Sequence, residues 1–135
     1  MGVLTDLVSL GDRDPQHVLS SDVEAPTFQS KGIGIVELSQ LGELLGAGDS
    51  IELSRQFDLI AGEEDEGPWL LTIPEALLSS LQTAMDGTLE SVAPKWARIE
   101  EFGGHAEVDV LMDYLKGARA FLTENEGPFA LSICL

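Results

Sequence analysis

Apolar side chains recur most regularly at Val108, Leu111, Met112, Leu115, Ala118 and Leu122, and these three- and four-residue steps predict an amphipathic helix of about four turns. Such a stripe is expected to pack on a sheet. A second stripe, Leu77, Leu78, Leu81, Ala84 and Met85, follows Thr72-Ile73-Pro74-Glu75, whose Thr-x-x-Glu spacing suits a capping box, and Asp86-Gly87 is expected to end it. A third runs from Ile35 through Val36, Leu38, Leu41, Leu44 and Leu45 to the stop Gly46-Ala47-Gly48-Asp49. Shorter helical turns are expected over residues 15–21, behind Asp14-Pro15, and through Ile51 and Leu53 with Ser50 as the cap.

Shorter apolar runs mark the strands. Val3 to Leu10 opens the chain and Phe129 to Leu135 closes it, so both ends are expected in one sheet. Phe57 to Ala61 and Trp69 to Ile73 are expected to form a hairpin across the acidic turn 62–67. Residues 22–34, with Pro26, Gly32 and Gly34, read as an irregular surface connection, and 88–104 as poorly regular, with Pro94 interrupting and Trp96 to Phe102 a short helix. Strand and helix do not alternate strictly, and no repeat or linker divides the 135 residues. The expectation is one α+β domain over 1–135, with a mixed or antiparallel sheet and helices packed mainly on one face.

Charge narrows the function classes. Seven basic against 24 acidic side chains give a net charge of −17, which repels phosphate backbones and anionic lipid. Direct nucleic-acid or membrane binding is therefore not expected, whereas encounter with a basic protein is favoured; the plainer reading is that the charge keeps the protein soluble. The opening residues lack a basic leader, and the Gly2 to Asp6 segment lacks the myristoylation pattern; with Cys134 the one cysteine, a reducing, cytoplasmic setting is expected.

Walker, Rossmann, Gly-x-Ser-x-Gly, His-Glu-x-x-His and Cys-x-x-Cys patterns do not occur, so no catalytic residue, metal or cofactor is assigned. Gly32-Ile33-Gly34 lacks the third glycine and lysine of a phosphate loop. Consecutive Glu63, Glu64, Asp65 and Glu66 lack the spacing by which calcium ligands converge and read as a solvated hairpin tip. His17 and His105 have no cysteine partners for a zinc site, although His105 follows Gly103-Gly104 among Glu100, Glu101, Glu107 and Asp109.

Trp96-Ala97-Arg98-Ile99-Glu100-Glu101-Phe102 is the segment in which binding chemistry concentrates: an aromatic, a guanidinium and two carboxylates within two helical turns. Trp96, Arg98, Glu101 and His105 are the candidate ligand-binding residues. The structural alternative makes Trp96 and Phe102 core residues beside an Arg98–Glu101 surface pair. Adjacent Glu100 and Glu101 point about 100° apart on a helix, which argues against a paired-carboxylate hydrolase.

Met1-Gly2-Val3-Leu4-Thr5-Asp6, the Trp96 to Phe102 segment and the apolar end at Cys134-Leu135 together resemble a group of small bacterial proteins without an assigned activity. The resemblance implies a bacterial context and supplies no mechanism. The leading functional expectation is a non-enzymatic interaction protein that meets a basic protein partner, of the immunity-protein or nucleic-acid-mimic type. The alternative is a small-ligand-binding or metal-dependent enzyme with a pocket near Trp96 and His105. A homodimer built on the terminal strand is the third reading.

Overall fold

The sheet begins at the first described strand, β1 (Leu4–Ser9), and a computed structural model describes residues 4–20, 23–63 and 66–134 of the chain. The other strands are β2 (Thr27–Phe28), β3 (Leu59–Glu63), β4 (Glu66–Thr72) and β5 (Phe129–Cys134). They form one sheet in the order β2-β1-β5-β4-β3, with every neighbouring pair antiparallel. The helices are α1 (Pro15–Leu19), α2 (Ile35–Leu44), α3 (Ser50–Ser54), α4 (Glu75–Thr83), α5 (Asp86–Trp96) and α6 (Val108–Glu124). The fold is α+β, as the element order predicts.

Strand alternation sorts the sheet residues between two faces. Leu7 and Leu131 face the large core that α2, α4, α5 and α6 cover, where Leu41, Leu77, Leu89, Trp96, Leu115 and Leu122 are buried. Val8, Ala130 and Leu70 face the other way, and α1 closes over this smaller cluster with Val18 and Leu19. The helices thus lie mainly on one face. β5 is paired along both sides, by β1 and β4, so the terminal strand has no free edge for a second copy; the sheet edges are β2 and β3.

The helix starts follow local chemistry in part. The Asp14 and Asp49 carboxylates accept from the backbone N–H of Gln16 (2.9 Å) and Ile51 (3.1 Å), capping α1 and α3; the cap of α3 is thus Asp49 and not Ser50, which is the first helical residue. At α2 the Glu37 carboxylate accepts from the Gly34 N–H at 3.2 Å; glycine has no side chain, so only that half of a capping box exists.

Four local expectations are corrected. Thr72 does not cap α4: its hydroxyl donates to the Gln56 carbonyl (3.0 Å) and accepts from the Asp58 N–H (2.9 Å), while Pro74 takes the cap position. Asp86 opens α5 instead of closing the preceding helix, which stops at Thr83. Arg119 fixes this break by donating to the Ala84 carbonyl (2.9 Å) and to Asp86 Oδ1 (2.5 Å), and the guanidinium holds that carboxyl below its usual range. Pro94 does not interrupt: α5 runs through it to Trp96, because burial of Leu89, Val92, Ala93 and Trp96 along one face outweighs the lost N–H and the ring's clash with the preceding turn. The segment 22–34 is not wholly irregular either, since Thr27 and Phe28 pair with Val8 and Leu7.

Phe28 explains that short strand. Its ring lies 5.5 Å from the Tyr114 ring and reaches α6 at Gly117, where a Cβ would stand 2.7 Å from the Phe28 ring. Glycine allows the approach. The acidic turn is entered from both strands, but residues 64–65 and the side chains of the calcium expectation at 63–66 fall outside what is described, as do Val3 and Leu135. Within α5, Gly87 has open space at its Cβ position and no positive φ. Gly87→Ala is expected to raise stability by about 0.5–1 kcal/mol, read as a higher urea midpoint with an unchanged slope.

Candidate functional site

Two concave regions differ in what lines them. The larger, about 630 Å³, lies between α4 and the link from α6 to β5, bounded by Glu75, Gln82, Asn125 and Phe129. Its amides are already engaged: Gln82 donates to the Leu122 carbonyl (3.0 Å) and Asn125 to that of Phe121 (3.0 Å), closing the end of α6. That leaves Glu75 as its ionisable lining group, and the cleft reads as a crease between packed elements.

The smaller, about 380 Å³, lies between residues 31–33 and the start of α6, with Ile33, Phe102, His105, Glu107, Val110 and Leu111 around it. One wall is held by β1. Thr5, a buried strand residue, accepts from the Ile33 N–H at 3.2 Å, and Ser30 donates to the Thr5 carbonyl at 2.6 Å, while Lys31 bridges to Leu4. The other wall is α6, whose first turn is set by the Leu111 N–H bond to the Glu107 carbonyl (3.1 Å).

The floor depends on Trp96. The indole is fully buried, donates from Nε1 to the Glu37 carbonyl at 2.9 Å, and meets the Phe102 ring edge-on at 5.5 Å. Phe102 closes a single 3₁₀ turn, Glu100–Phe102. Gly103 (φ 61°) and Gly104 (φ 75°) then take left-handed conformations that turn the chain into His105 and α6.

The four candidate binding residues are therefore separated. Trp96 is core, Arg98 is exposed and makes no ion pair among the described residues, and Glu101 accepts from Gln40 Nε2 on α2. His105 lines the groove, exposed, without any of the other three in hydrogen-bond contact. Trp96 to Phe102 is also not one helix: α5 ends at Trp96 and the 3₁₀ turn starts at Glu100, so Trp96 and Glu100 share no helical face. Among the described residues no three His, Cys, Asp or Glu side chains gather as a metal site, and His17 stands exposed on α1.

Comparison with known proteins places nothing beside this geometry: the chain matches no family, no curated protein and no solved structure. No helix among the described residues is long and apolar enough to cross a membrane.

Sequence reasoning missed Ile33 and Val110. Ile33 joins the groove through a connection with no period of its own. Val110 had a signal: it is a β-branched apolar residue beside the α6 stripe rather than within it, and it is 59% exposed.

Proposed function

We propose that this protein is a non-enzymatic binding protein whose acidic surface receives a cationic protein partner. The observation that supports this reading is how little of the charge is neutralised internally. Among the described residues, ion pairs engage Glu52 with Arg55 and Asp86 with Arg119, whereas Glu100, Glu101, Glu107, Asp109 and Asp113 stand exposed without one. Carboxylates left facing solvent keep their field for an incoming cation, which speeds encounter and is screened beyond about 8 Å at physiological salt. The lone cysteine fits a reducing bacterial cytosol as the setting.

A small-ligand or metal-dependent enzyme near Trp96 and His105 calls for convergent polar side chains, and that motive is weakened by a buried Trp96 and a Glu101 turned to Gln40. The test is capture of partners by the immobilised protein, eluted by a salt gradient and identified by mass spectrometry. A stoichiometric basic protein released by salt is expected; a partner retained equally at low and high salt overturns the reading.

A further inference from the structure

We infer that the groove between residues 31–33 and α6 is where the cationic partner docks, by setting one apolar side chain against Ile33, Phe102 and Leu111 and basic side chains against Glu107 and Asp113. The inference rests on the reading of the acidic surface as a site for a basic protein, and adds the place and the chemistry of the contact.

Three observations meet at this place. First, the groove is apolar in its depth, with Ile33 and Leu111 buried and Phe102 half-buried, yet at its mouth Val110 stands 59% exposed. Apolar groups at the entrance of an apolar groove are what a protein contact removes from water. Second, the groove, about 380 Å³, is open rather than enclosed, whereas a small-molecule site buries most of its ligand, so a side chain presented from a protein surface suits it better.

Third, charge surrounds that apolar centre. Glu107 and Asp113 lie three residues before and after Val110, so both neighbour it on the helix surface, and Glu100 and Glu101 precede Phe102 on the adjoining turn. Lys31 is the opposing cation on the far wall, and His105 also lines the groove. A central apolar anchor ringed by charge is the arrangement of a protein interface, and here the ring is mostly negative, with Glu100, Glu101, Glu107 and Asp113 against the one Lys31. A second copy is a poor occupant, because it brings its own −17 to the same patch.

The probe is a synthetic amphipathic helix of leucine and lysine, with a leucine–glutamate peptide of the same pattern beside it, titrated by calorimetry and by amide chemical shifts on the full chain. The Leu–Lys peptide is expected to bind in low salt, to perturb Ile33, Phe102, Val110 and Leu111, and to outbind the Leu–Glu peptide. Val110→Ser is expected to weaken it about tenfold or more, from the lost apolar contact, while Ile51→Ser, at an equally exposed apolar position on α3, leaves it within about twofold. Glu107→Gln is expected to flatten the salt dependence. Both serine variants alter exposed side chains, and unchanged unfolding midpoints confirm that they fold. Equal effects of Val110→Ser and Ile51→Ser, or none from either, overturn the groove as the docking place while salt-sensitive binding upholds the acidic-surface reading. Failure of the Leu–Lys peptide to bind at low salt overturns both.

Discussion

Trp96→Ala is expected to lower the unfolding free energy by about 3–5 kcal/mol, a large share of the roughly 5–15 kcal/mol that holds a domain folded. The indole is completely buried where α5 meets α2 and α6. It touches the rings of Phe102 (5.5 Å) and Tyr114 (5.8 Å), and its Nε1 reaches across to the Glu37 carbonyl. Truncation removes apolar burial, aromatic contacts and one hydrogen bond together, and leaves a cavity that three packed helices cannot close without moving. Trp96→Phe separates these contributions: the ring contacts survive in reduced form, and the lost hydrogen bond alone accounts for about 0.5–1.5 kcal/mol. Urea unfolding of the two variants is the measurement. A loss below about 1 kcal/mol for the alanine variant contradicts the core position of Trp96. Because Phe102 rests on this indole, the alanine variant is also expected to loosen the groove floor, seen as broadened amide signals at Phe102 and His105.

The same residue shows why the fold was more legible than the site. The stripe from Leu111 to Leu122 declares α6 because one face carries the whole signal, and the terminal apolar runs declare β1 and β5 for the same reason. α5 was hidden by its local signals. Asp86-Gly87 reads as a stop and Pro94 as a breaker, yet burial of Leu89, Val92, Ala93 and Trp96 on one face outweighs both, and Arg119 from a distant helix decides where the break before Asp86 falls. Thr72 carries a capping pattern with no capping role, because Pro74 sets the backbone and the hydroxyl turns to the segment entering β3. For the groove, Phe102 ended the segment singled out for its chemistry and His105 was a candidate just beyond it, but Ile33 and Leu111 are 78 positions apart and only the pairing of β1 with its neighbours brings them together. Arg98 and Glu101 show the converse: closeness in sequence gave no pair, since Glu101 found Gln40 on α2 instead.

Alkaline pH is expected to destabilise the protein through Tyr114, the single tyrosine of the chain. Its ring is wedged between Phe28 and Trp96, and its hydroxyl is buried with no hydrogen-bond partner among the described residues. Burial pushes the phenol well above its ordinary value of 10.0, and the Ser30 hydroxyl, committed to Thr5, offsets only a part of that rise. The sign follows from linkage. Below pH 10 both states hold the proton and the group adds no pH dependence. Above it the unfolded chain releases the proton while the native state keeps it, so the native state binds more protons and stability falls as pH rises. The loss approaches a factor of ten in the folding equilibrium constant per pH unit, until the buried phenol itself ionises. Two measurements test this together: phenolate absorbance, which should appear only as the protein unfolds, and urea midpoints at pH 8 and about pH 11. Tyr114→Phe removes an unpartnered polar atom from the core while leaving the ring contacts, so it is expected to match or exceed the parent in stability at pH 8 and to lose this part of the alkaline sensitivity. A phenolate signal rising near pH 10 in the folded protein places the hydroxyl in water, which contradicts its burial beneath Phe28.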